Sequence, residues 1–363
     1  MRCILDIETD GLLDDATKVH CKVKFPNFAR RGDKFIMHNG LSFDGPVLNK
    51  LCSTNIKEEQ VTDTLIMSQL FNPVRDGGHS LAAWGKRFCF PKGQIDDFTF
   101  YSKDMLEYCK QDVNLTYKLY QYLTQEGKGF SKGSLNLEHK VRDIINSQES
   151  TGFYLDLPYA TTLCASLQDK SSIIYDQLQE TFPPIVTTGR THKRSGKPLR
   201  DIIEPFNPAS RKQIGGRLIE LGWKPTKVTE KGNVIVDENV LSKIDMKEAK
   251  QISEYLLLQK RTTQISSWID SVAEVGRVHG RVLTLRTITG RMAHTSPNMA
   301  QVPAGYSPYG EECRSCWTVE NKETHSLVGT DASGLELRGL AHFMNDQNFI
   351  KEVLDGDVHT ANQ

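Results

Sequence analysis

The first third of the sequence predicts an α/β fold, and two observations lead to that prediction. Short apolar runs with the composition of buried strands occupy residues 3–7 and 34–38. Helical patterns occupy residues 80–88, where Ser80 is a typical capping residue, and residues 104–123, an amphipathic stretch. Strands that alternate with helices are typical of α/β domains, so we expect one over residues 1–128.

The rest of the chain predicts two further regions after a glycine-rich linker at residues 127–133. Helical patterns follow the linker, with breaks at Gly152 and Pro158. They cover residues 135–180, 210–221 and 247–267. The last part mixes strands and turns and ends with a helix that starts near Leu335. We therefore expect a mostly helical region over residues 134–275 and a mixed region over residues 276–363.

Composition limits the class of protein. The 363 residues are enough for two or three domains, and 38% hydrophobic with 25% charged residues is typical of globular proteins. The 45 basic and 45 acidic residues cancel, so any attraction to nucleic acid must come from local patches. No apolar run is long enough to cross a membrane, acidic residues interrupt the N-terminus, and the eight scattered cysteines indicate reduced thiols. These features predict a cytoplasmic protein.

Four acidic residues form a candidate metal site in the first region. Asp6 and Glu8 are two residues apart on a strand, so both carboxylates leave the same face. Asp44 follows the next clear strand, and Asp112 lies one helical turn after Tyr108. If the four carboxylates converge, they could hold two divalent ions for phosphodiester hydrolysis. The alternative is that each is an ordinary solvated surface charge, because spacing alone does not prove convergence.

Three short motifs resemble, in order, the exonuclease motifs of the DNA polymerase family of bacterial polymerase I and the short-tailed phages. They are Asp6-Ile7-Glu8, the run from His38 to Asp44, and Tyr108-Cys109-Lys110-Gln111-Asp112. The resemblance implies an RNase H-like 3′–5′ exonuclease domain. In it Asp6, Glu8, Asp44 and Asp112 would bind Mg²⁺ or Mn²⁺, two ions per active site, and Tyr108 would orient the attacking water. Only nine residues separate Phe25 from Phe35, where the family has another strand and a helix.

A basic stretch in the middle of the chain indicates a grip on DNA. Residues 190–227 contain ten Lys and Arg but only three Asp and Glu, although a solvated loop without a partner would have the same charge. Residues 206–213 and 254–267 resemble the thumb of the same family. Some phage members carry a large thumb insertion that recruits thioredoxin as a processivity clamp. Here only residues 183–205 occupy that place, so we expect no thioredoxin-type clamp.

The last region resembles the polymerase palm. Residues 275–310 contain no acidic residue, and residues 286–303 are similar to the family's primer-gripping motif. That similarity implies DNA contacts by five residues: Arg286, Thr289, Arg291, Asn298 and Gln301. Residues 330–338 resemble the segment whose aspartate, here Asp331 at the end of an expected strand, holds the two Mg²⁺ ions of nucleotidyl transfer. Glu336 would exclude ribonucleotides, and His359 would contact the phosphates of the incoming dNTP.

The resemblance implies an incomplete α+β palm, because the family's fingers helix and second palm aspartate do not appear among these residues. Three hypotheses follow. The chain is one piece of a split DNA polymerase that needs a second polypeptide carrying the fingers and the rest of the palm. Alternatively, it is a stand-alone exonuclease acting on single-stranded DNA, whose rear part binds primer–template. The third is a non-enzymatic DNA-binding remnant. We favour the split polymerase.

Overall fold

A four-stranded sheet forms the centre of the N-terminal part. The computed structural model describes residues 2–25, 34–188, 200–225, 227–228 and 234–356. The strands are β1 (Arg2–Thr9), β2 (Val19–Phe25), β3 (Lys34–Met37) and β4 (Val61–Asp63). Their order is β2–β1–β3–β4, with β1 antiparallel to β2 and parallel to β3, and β3 parallel to β4. The two strands expected from sequence are present, and β2 and β4 are additions.

Four helices accompany this sheet. They are α1 (Asp44–Cys52), α2 (Thr64–Phe71), α3 (Leu81–Arg87) and α4 (Lys103–Glu126). As expected, Ser80 caps α3 by accepting a hydrogen bond from the Ala83 N–H. The apolar residues of α4 recur at helical spacing and are buried, and Val113 packs against Ile4 and Ile36 of the sheet. The long helix α4 therefore lies along the sheet.

The helical region after α4 centres on two long helices. Its elements are α5 (Lys132–Thr151), β5 (Phe153–Leu155), α6 (Leu157–Thr181), β6 (Ile185–Thr187), β7 (Ile202–Glu204), α7 (Arg211–Glu220), α8 (Glu238–Leu241) and α9 (Lys247–Ile269). Helices α6 and α9 pack along each other around a core that includes Leu167, Leu258 and Trp268. The helical pattern is interrupted between α5 and α6, as expected from Gly152 and Pro158, and Pro158 lies in the first turn of α6, where its missing N–H costs no hydrogen bond.

The remaining elements are shorter. They are β8 (Arg277–Val278), β9 (Arg281–Leu283), β10 (Ala293–Thr295), α10 (Gly310–Ser315), β11 (Trp317–Thr318), α11 (Leu335–Met344) and α12 (Gln347–Asp355). Strands β9 and β10 pair as an antiparallel hairpin, and β6 pairs with β7 in the same way. The connection between α6 and α7 thus contains a small hairpin with exposed strands.

Two compact units divide the chain, one over residues Met1–Trp317 and one over Thr318–Gln363. In the second unit, α11 packs against α12. The finer boundaries expected after residues 128 and 275 fall inside the first unit and stay predictions. No helix in the described parts of the chain combines the length and apolar character needed to cross a membrane.

A polar network on α5 joins the turn before α1 to the β9–β10 hairpin. The Arg142 guanidinium donates to the Val282 carbonyl at 2.7 Å and pairs with Glu149 at 2.8 Å, while Glu149 accepts from the Val282 N–H at 2.6 Å. Arg142 also donates to Asn146 Oδ1, and the Asn146 amide donates to the Leu41 carbonyl at 2.7 Å. Helix α5 therefore fixes both segments through hydrogen bonds from side chains.

Replacing Arg142 by Met should lower the free energy of unfolding by about 1–3 kcal/mol, because Glu149 and the Val282 carbonyl would keep their burial and lose their charged donor. Urea denaturation of the parent and the variant measures this change. Lys140→Met, at an exposed position of the same helix, is the matched control and should leave the midpoint unchanged. A midpoint for Arg142→Met equal to that of the control would contradict the structural role of this network.

Candidate active site

The structure brings the acidic residues of β1 close to the middle of α4. Ligand atoms of Asp6, Glu8 and Cys109 all lie within 4.8 Å of one another, and the Cys109 thiol is 3.5 Å from Asp6 Oδ2. Burial raises the pKa of Asp6 well above its usual value, and the charges of Asp44, Asp112 and Glu8 raise it further. Charges raise one another's pKa in this way only when the charged groups lie a short distance apart. The four carboxylates singled out in the sequence therefore lie close enough to affect one another's charge.

A turn held by Asp63 positions Asp44 at the start of α1. The buried Asp63 carboxylate accepts from the backbone N–H groups of Asn39 at 2.9 Å and Leu41 at 3.1 Å. It also caps α2 by accepting from the Leu65 N–H. A Cβ at Gly40 would lie 2.2 Å from the Met37 Cβ, so only glycine fits there. The role of Asp63 could not be predicted from the sequence, because it depends on a partner 24 residues away.

Burial dominates the electrostatics of the carboxylates. It raises the pKa of Glu8 to about 7, with a smaller contribution from Asp112, and it raises the pKa of Asp44 to about 7, with Asp63 and Glu8 adding to the effect. Asp44 and Asp112 are only 3% and 2% exposed, and each has a buried Oδ1 atom without a hydrogen-bond partner among the described residues. Unpartnered buried carboxylate oxygens are costly, so the site requires protons or cations.

Lys92 supplies one positive charge that sequence analysis missed. Its ammonium lies 2.6 Å from Asp112 Oδ2, and its side chain is 28% exposed. Burial alone would lower the pKa of Lys92, but the charge and hydrogen bond of Asp112 outweigh it and raise that pKa above its usual value. Lys92 lies in the connection between α3 and α4, where no periodic pattern relates it to the acids. The sequence therefore contained no signal for this contact.

Tyr108 lies beside Lys92 on α4. The Lys92 ammonium is 4.8 Å from the centroid of the Tyr108 ring, and the Phe98 ring meets the same ring edge-on at 6.1 Å. Burial raises the pKa of Tyr108, although Lys92 opposes that rise, so the phenol stays protonated near neutral pH. Tyr108 can therefore donate a hydrogen bond beside the carboxylates.

The donor set fits divalent ions of the hard class. Carboxylate oxygens are the ligands that Mg²⁺ and Mn²⁺ prefer, and the Oδ1 atoms of Asp44 and Asp112 have no hydrogen-bond partner in the part of the chain that the structure describes. Burial raises the pKa of the neighbouring Cys109 thiol far above its usual range, so this sulfur stays a neutral thiol and a poor ligand.

The candidate DNA-binding residues occupy the β9–β10 loop and the segment after it. Arg286, Thr289 and Arg291 are exposed in the loop, which is closed by a hydrogen bond from the Arg291 N–H to Thr287 Oγ1 at 2.8 Å. Gly290 has a φ of 76°, which favours glycine in this turn. Together the loop presents two exposed guanidinium groups.

Asn298 precedes a short 3₁₀ helix, Met299–Gln301, and Gln301 is its last residue. The Asn298 Oδ1 atom accepts from the Ala300 N–H at 3.1 Å, so this oxygen caps the 3₁₀ helix and its amide nitrogen is the group left to donate. Gln301 is exposed, and its carbonyl accepts from Gln264 of α9 at 2.5 Å. This segment therefore lies against the long helix of the predicted thumb.

Asp331 and Glu336, which are predicted to be palm residues, lie in the second unit, and both are exposed. Glu336 is in the first turn of α11 as expected. The expected strand before Asp331 is wrong, because the described residues 319–332 form no strand. Leu327 and Val328 in this segment are exposed, and a strand needs a partner to accept its backbone hydrogen bonds. His359 lies outside the described residues.

The Cys313 and Cys316 pair is part of the core around α6 and α9. Both thiols are buried and free, and burial raises the pKa of Cys316 to about 12. Neutral buried thiols are poor metal ligands.

The fold is similar to that of a solved protein over most of the chain. A solved structure described as the POL domain of Pol1 from M. smegmatis in complex with DNA primer-template and dNTP matches 92% of this chain with a TM-score of 0.69 and 18% identity. A family model for DNA polymerase family A matches residues 187–363. The DNA-directed DNA polymerases of Escherichia phage T7 and Enterobacteria phage T3 are each 30% identical over 99% of this chain. The chain belongs to DNA polymerase family A.

The coverage of these relatives is partial. The chain matches 72% of each phage polymerase, over a stretch of 508 residues that exceeds its own length, so the phage proteins contain segments that it lacks. DNA polymerase I of Helicobacter pylori is 26% identical over 83% of this chain, which corresponds to 31% of that protein. The chain also covers 54% of the M. smegmatis structure.

The carboxylate cluster predicts an unusual dependence of stability on pH in metal-free solution. The pKa values of Glu8 and Asp44 are about 7 in the folded chain and about 4 in an unfolded one. The folded state therefore binds more protons between these values, and its stability should fall as the pH rises from about 4 to about 7. Asp44→Asn removes one of these groups, so its Tm in EDTA should rise relative to that of the parent over this range.

The measurement is thermal unfolding in EDTA at several pH values. Asp14→Asn, at an exposed position, is the control and should follow the parent at every pH. If the Tm difference between Asp44→Asn and the parent stayed constant with pH, the raised pKa of Asp44 would be refuted.

Proposed function

We propose that the N-terminal part is a metal-dependent 3′–5′ exonuclease and that the following part grips primer–template DNA in a family A polymerase. The observation that carries the exonuclease proposal is the pair of buried, unpartnered carboxylate oxygens of Asp44 and Asp112 beside Asp6 and Glu8. An acidic site of this kind is costly unless cations occupy it. Family membership supports the same proposal, since the motifs around these residues occur in family order.

The proposed roles follow from the contacts of each side chain. Asp6, Glu8, Asp44 and Asp112 would hold Mg²⁺ or Mn²⁺. When bound, such ions would supply activation of the attacking water and stabilisation of the leaving oxygen. The protonated Tyr108 phenol would donate a hydrogen bond that orients the attacking water, and its ring is kept in place by Phe98 and Lys92. The turn held by Asp63 would keep Asp44 fixed without any metal.

The polymerase part is proposed to bind the primer–template through Arg286, Thr289, Arg291, Asn298 and Gln301. Asp331 would bind Mg²⁺, and Glu336 and His359 would contact the dNTP. Nucleotidyl transfer needs a second palm carboxylate and a fingers helix. We propose that a further stretch of polypeptide supplies them.

The exonuclease proposal predicts stepwise shortening of a 5′-labelled single-stranded oligonucleotide from its 3′ end in the presence of Mg²⁺. The Asp6→Ala, Glu8→Ala double variant should degrade it at least about a hundredfold more slowly, because half of the metal-binding carboxylates are removed. The Asp14→Ala, Asp15→Ala double variant removes two exposed acids nearby and is the matched control. No shortening by the folded parent would reject the exonuclease and favour a DNA-binding remnant.

The DNA-gripping proposal predicts weaker and less salt-dependent binding when the two loop arginines are removed. Arg286→Ala, Arg291→Ala should reduce the salt slope of primer–template affinity by about 2, since each phosphate contact contributes about 1. Fluorescence anisotropy of a labelled primer–template over a range of salt concentrations measures the slope. Lys132→Ala, exposed at the start of α5, is the control. An unchanged slope would show that these arginines do not contact phosphates.

A further inference from the structure

The connection between α3 and α4 holds Lys92 in one position. A Cβ at Gly85 of α3 would lie 2.7 Å from the Phe90 carbonyl oxygen and 3.0 Å from the Lys92 backbone nitrogen. On the other side, a Cβ at Gly93 would lie 3.0 Å from the Tyr108 ring. These close approaches show that the backbone around Lys92 is packed between two helices. The backbone that carries the Lys92 side chain is therefore held in place by packing, unlike the backbone of an unpacked loop.

Further contacts tie the same connection to α4. The Gln111 amide donates to the Pro91 carbonyl, and the Lys118 ammonium lies 4.2 Å from the centroid of the Phe90 ring. Both partners lie on the helix that carries Tyr108 and Asp112. Helix α4 and the connection thus form one packed element, in which Lys92 and Asp112 face each other.

The charge of Lys92 acts on the carboxylate cluster. Burial raises the pKa values of Asp6, Glu8 and Asp112, and Lys92 is the cation that lowers each of them. The ammonium also occupies one oxygen of Asp112 at 2.6 Å. A single lysine therefore offsets part of the repulsion among the acids and takes up a donor that a metal ion could use.

We propose that Lys92 is a built-in counter-cation of the carboxylate cluster, which keeps Asp112 and Tyr108 in place without metal and competes with divalent ions for Asp112 Oδ2. This inference rests on the proposed metal-dependent exonuclease. Lys92 is a positioning residue, because it acts through Asp112 and Tyr108. It lowers the affinity of the site for metal ions. It also keeps the site folded and ordered when no metal is bound.

The test compares the parent with Lys92→Met, which keeps the length of the aliphatic chain and removes the charge. Without the competing ammonium, Mn²⁺ should bind about tenfold more tightly, as measured by electron paramagnetic resonance of free Mn²⁺ during titration. In EDTA the Tm of Lys92→Met should fall below that of the parent, because the acids lose their counter-charge. Lys92→Arg keeps the charge and should restore the Tm. Lys250→Met, which removes an exposed lysine paired with Asp245, is the control.

The outcomes separate this inference from the proposed function. If the parent binds no Mn²⁺, the proposed exonuclease site is wrong. If the parent binds Mn²⁺ and folded Lys92→Met binds it equally or more weakly, the site stands and the counter-cation role of Lys92 is refuted. A lysine that only stabilised the fold would weaken metal binding when removed, whereas tighter binding is expected when a positive charge that opposes the metal ion is removed.

A second measurement on the parent covers the case in which Lys92→Met does not fold. Acetylation of lysines by a water-soluble active ester can be followed residue by residue with mass spectrometry, with and without saturating Mn²⁺. Competition for Asp112 predicts that Mn²⁺ increases the modification rate of Lys92 by several-fold and leaves that of Lys250 unchanged. An identical rate for Lys92 in both conditions would contradict the proposal.

Discussion

Repulsion among four carboxylates confined beside one half-buried lysine is the constraint on which the N-terminal part depends. The sheet brings Asp6 and Glu8 to one face, and α4 brings Asp112 opposite them. The packing around these acids excludes water, which raises the free energy of their charged forms. Three features of the site lower the free-energy cost of the repulsion: the backbone donors around Asp44, the ammonium of Lys92, and the protonation of acids whose pKa is raised. Divalent ions are the remaining partner that the donor set accommodates.

The same packing joins the acidic site to the loop proposed to grip DNA. Leu285, next to Arg286, is buried in the core formed by Leu5, Ile7 and Leu41. The Arg142 network on α5 adds hydrogen bonds to Leu41 through Asn146 and to Val282 in the hairpin strand. Within the first unit, the turn before Asp44 and the strand before Arg286 therefore share one support. A displacement of either segment must be accommodated by α5.

Local periodicity made several elements predictable from the sequence. The helix bounds of α3 and α4 follow from serine caps and amphipathic spacing, and Asp6 and Glu8 share a face because strands have a period of two. Ordered motifs led to the family, which the comparisons confirm. Lys92 and the role of Asp63 depend on contacts between distant residues, which no local pattern encodes. The strand expected before Asp331 is not formed, because a local pattern typical of a strand does not by itself provide a neighbouring strand to pair with.

Anomalous diffraction from crystals of the parent chain soaked in MnCl₂ tests the acidic metal site most directly. A manganese peak within coordination distance of Asp6 and Asp112 is expected, together with a weakened or broken contact between Lys92 and Asp112. Crystals in which the Lys92–Asp112 ion pair is intact and no manganese peak appears among the four carboxylates, at saturating Mn²⁺, would contradict a metal-dependent exonuclease site.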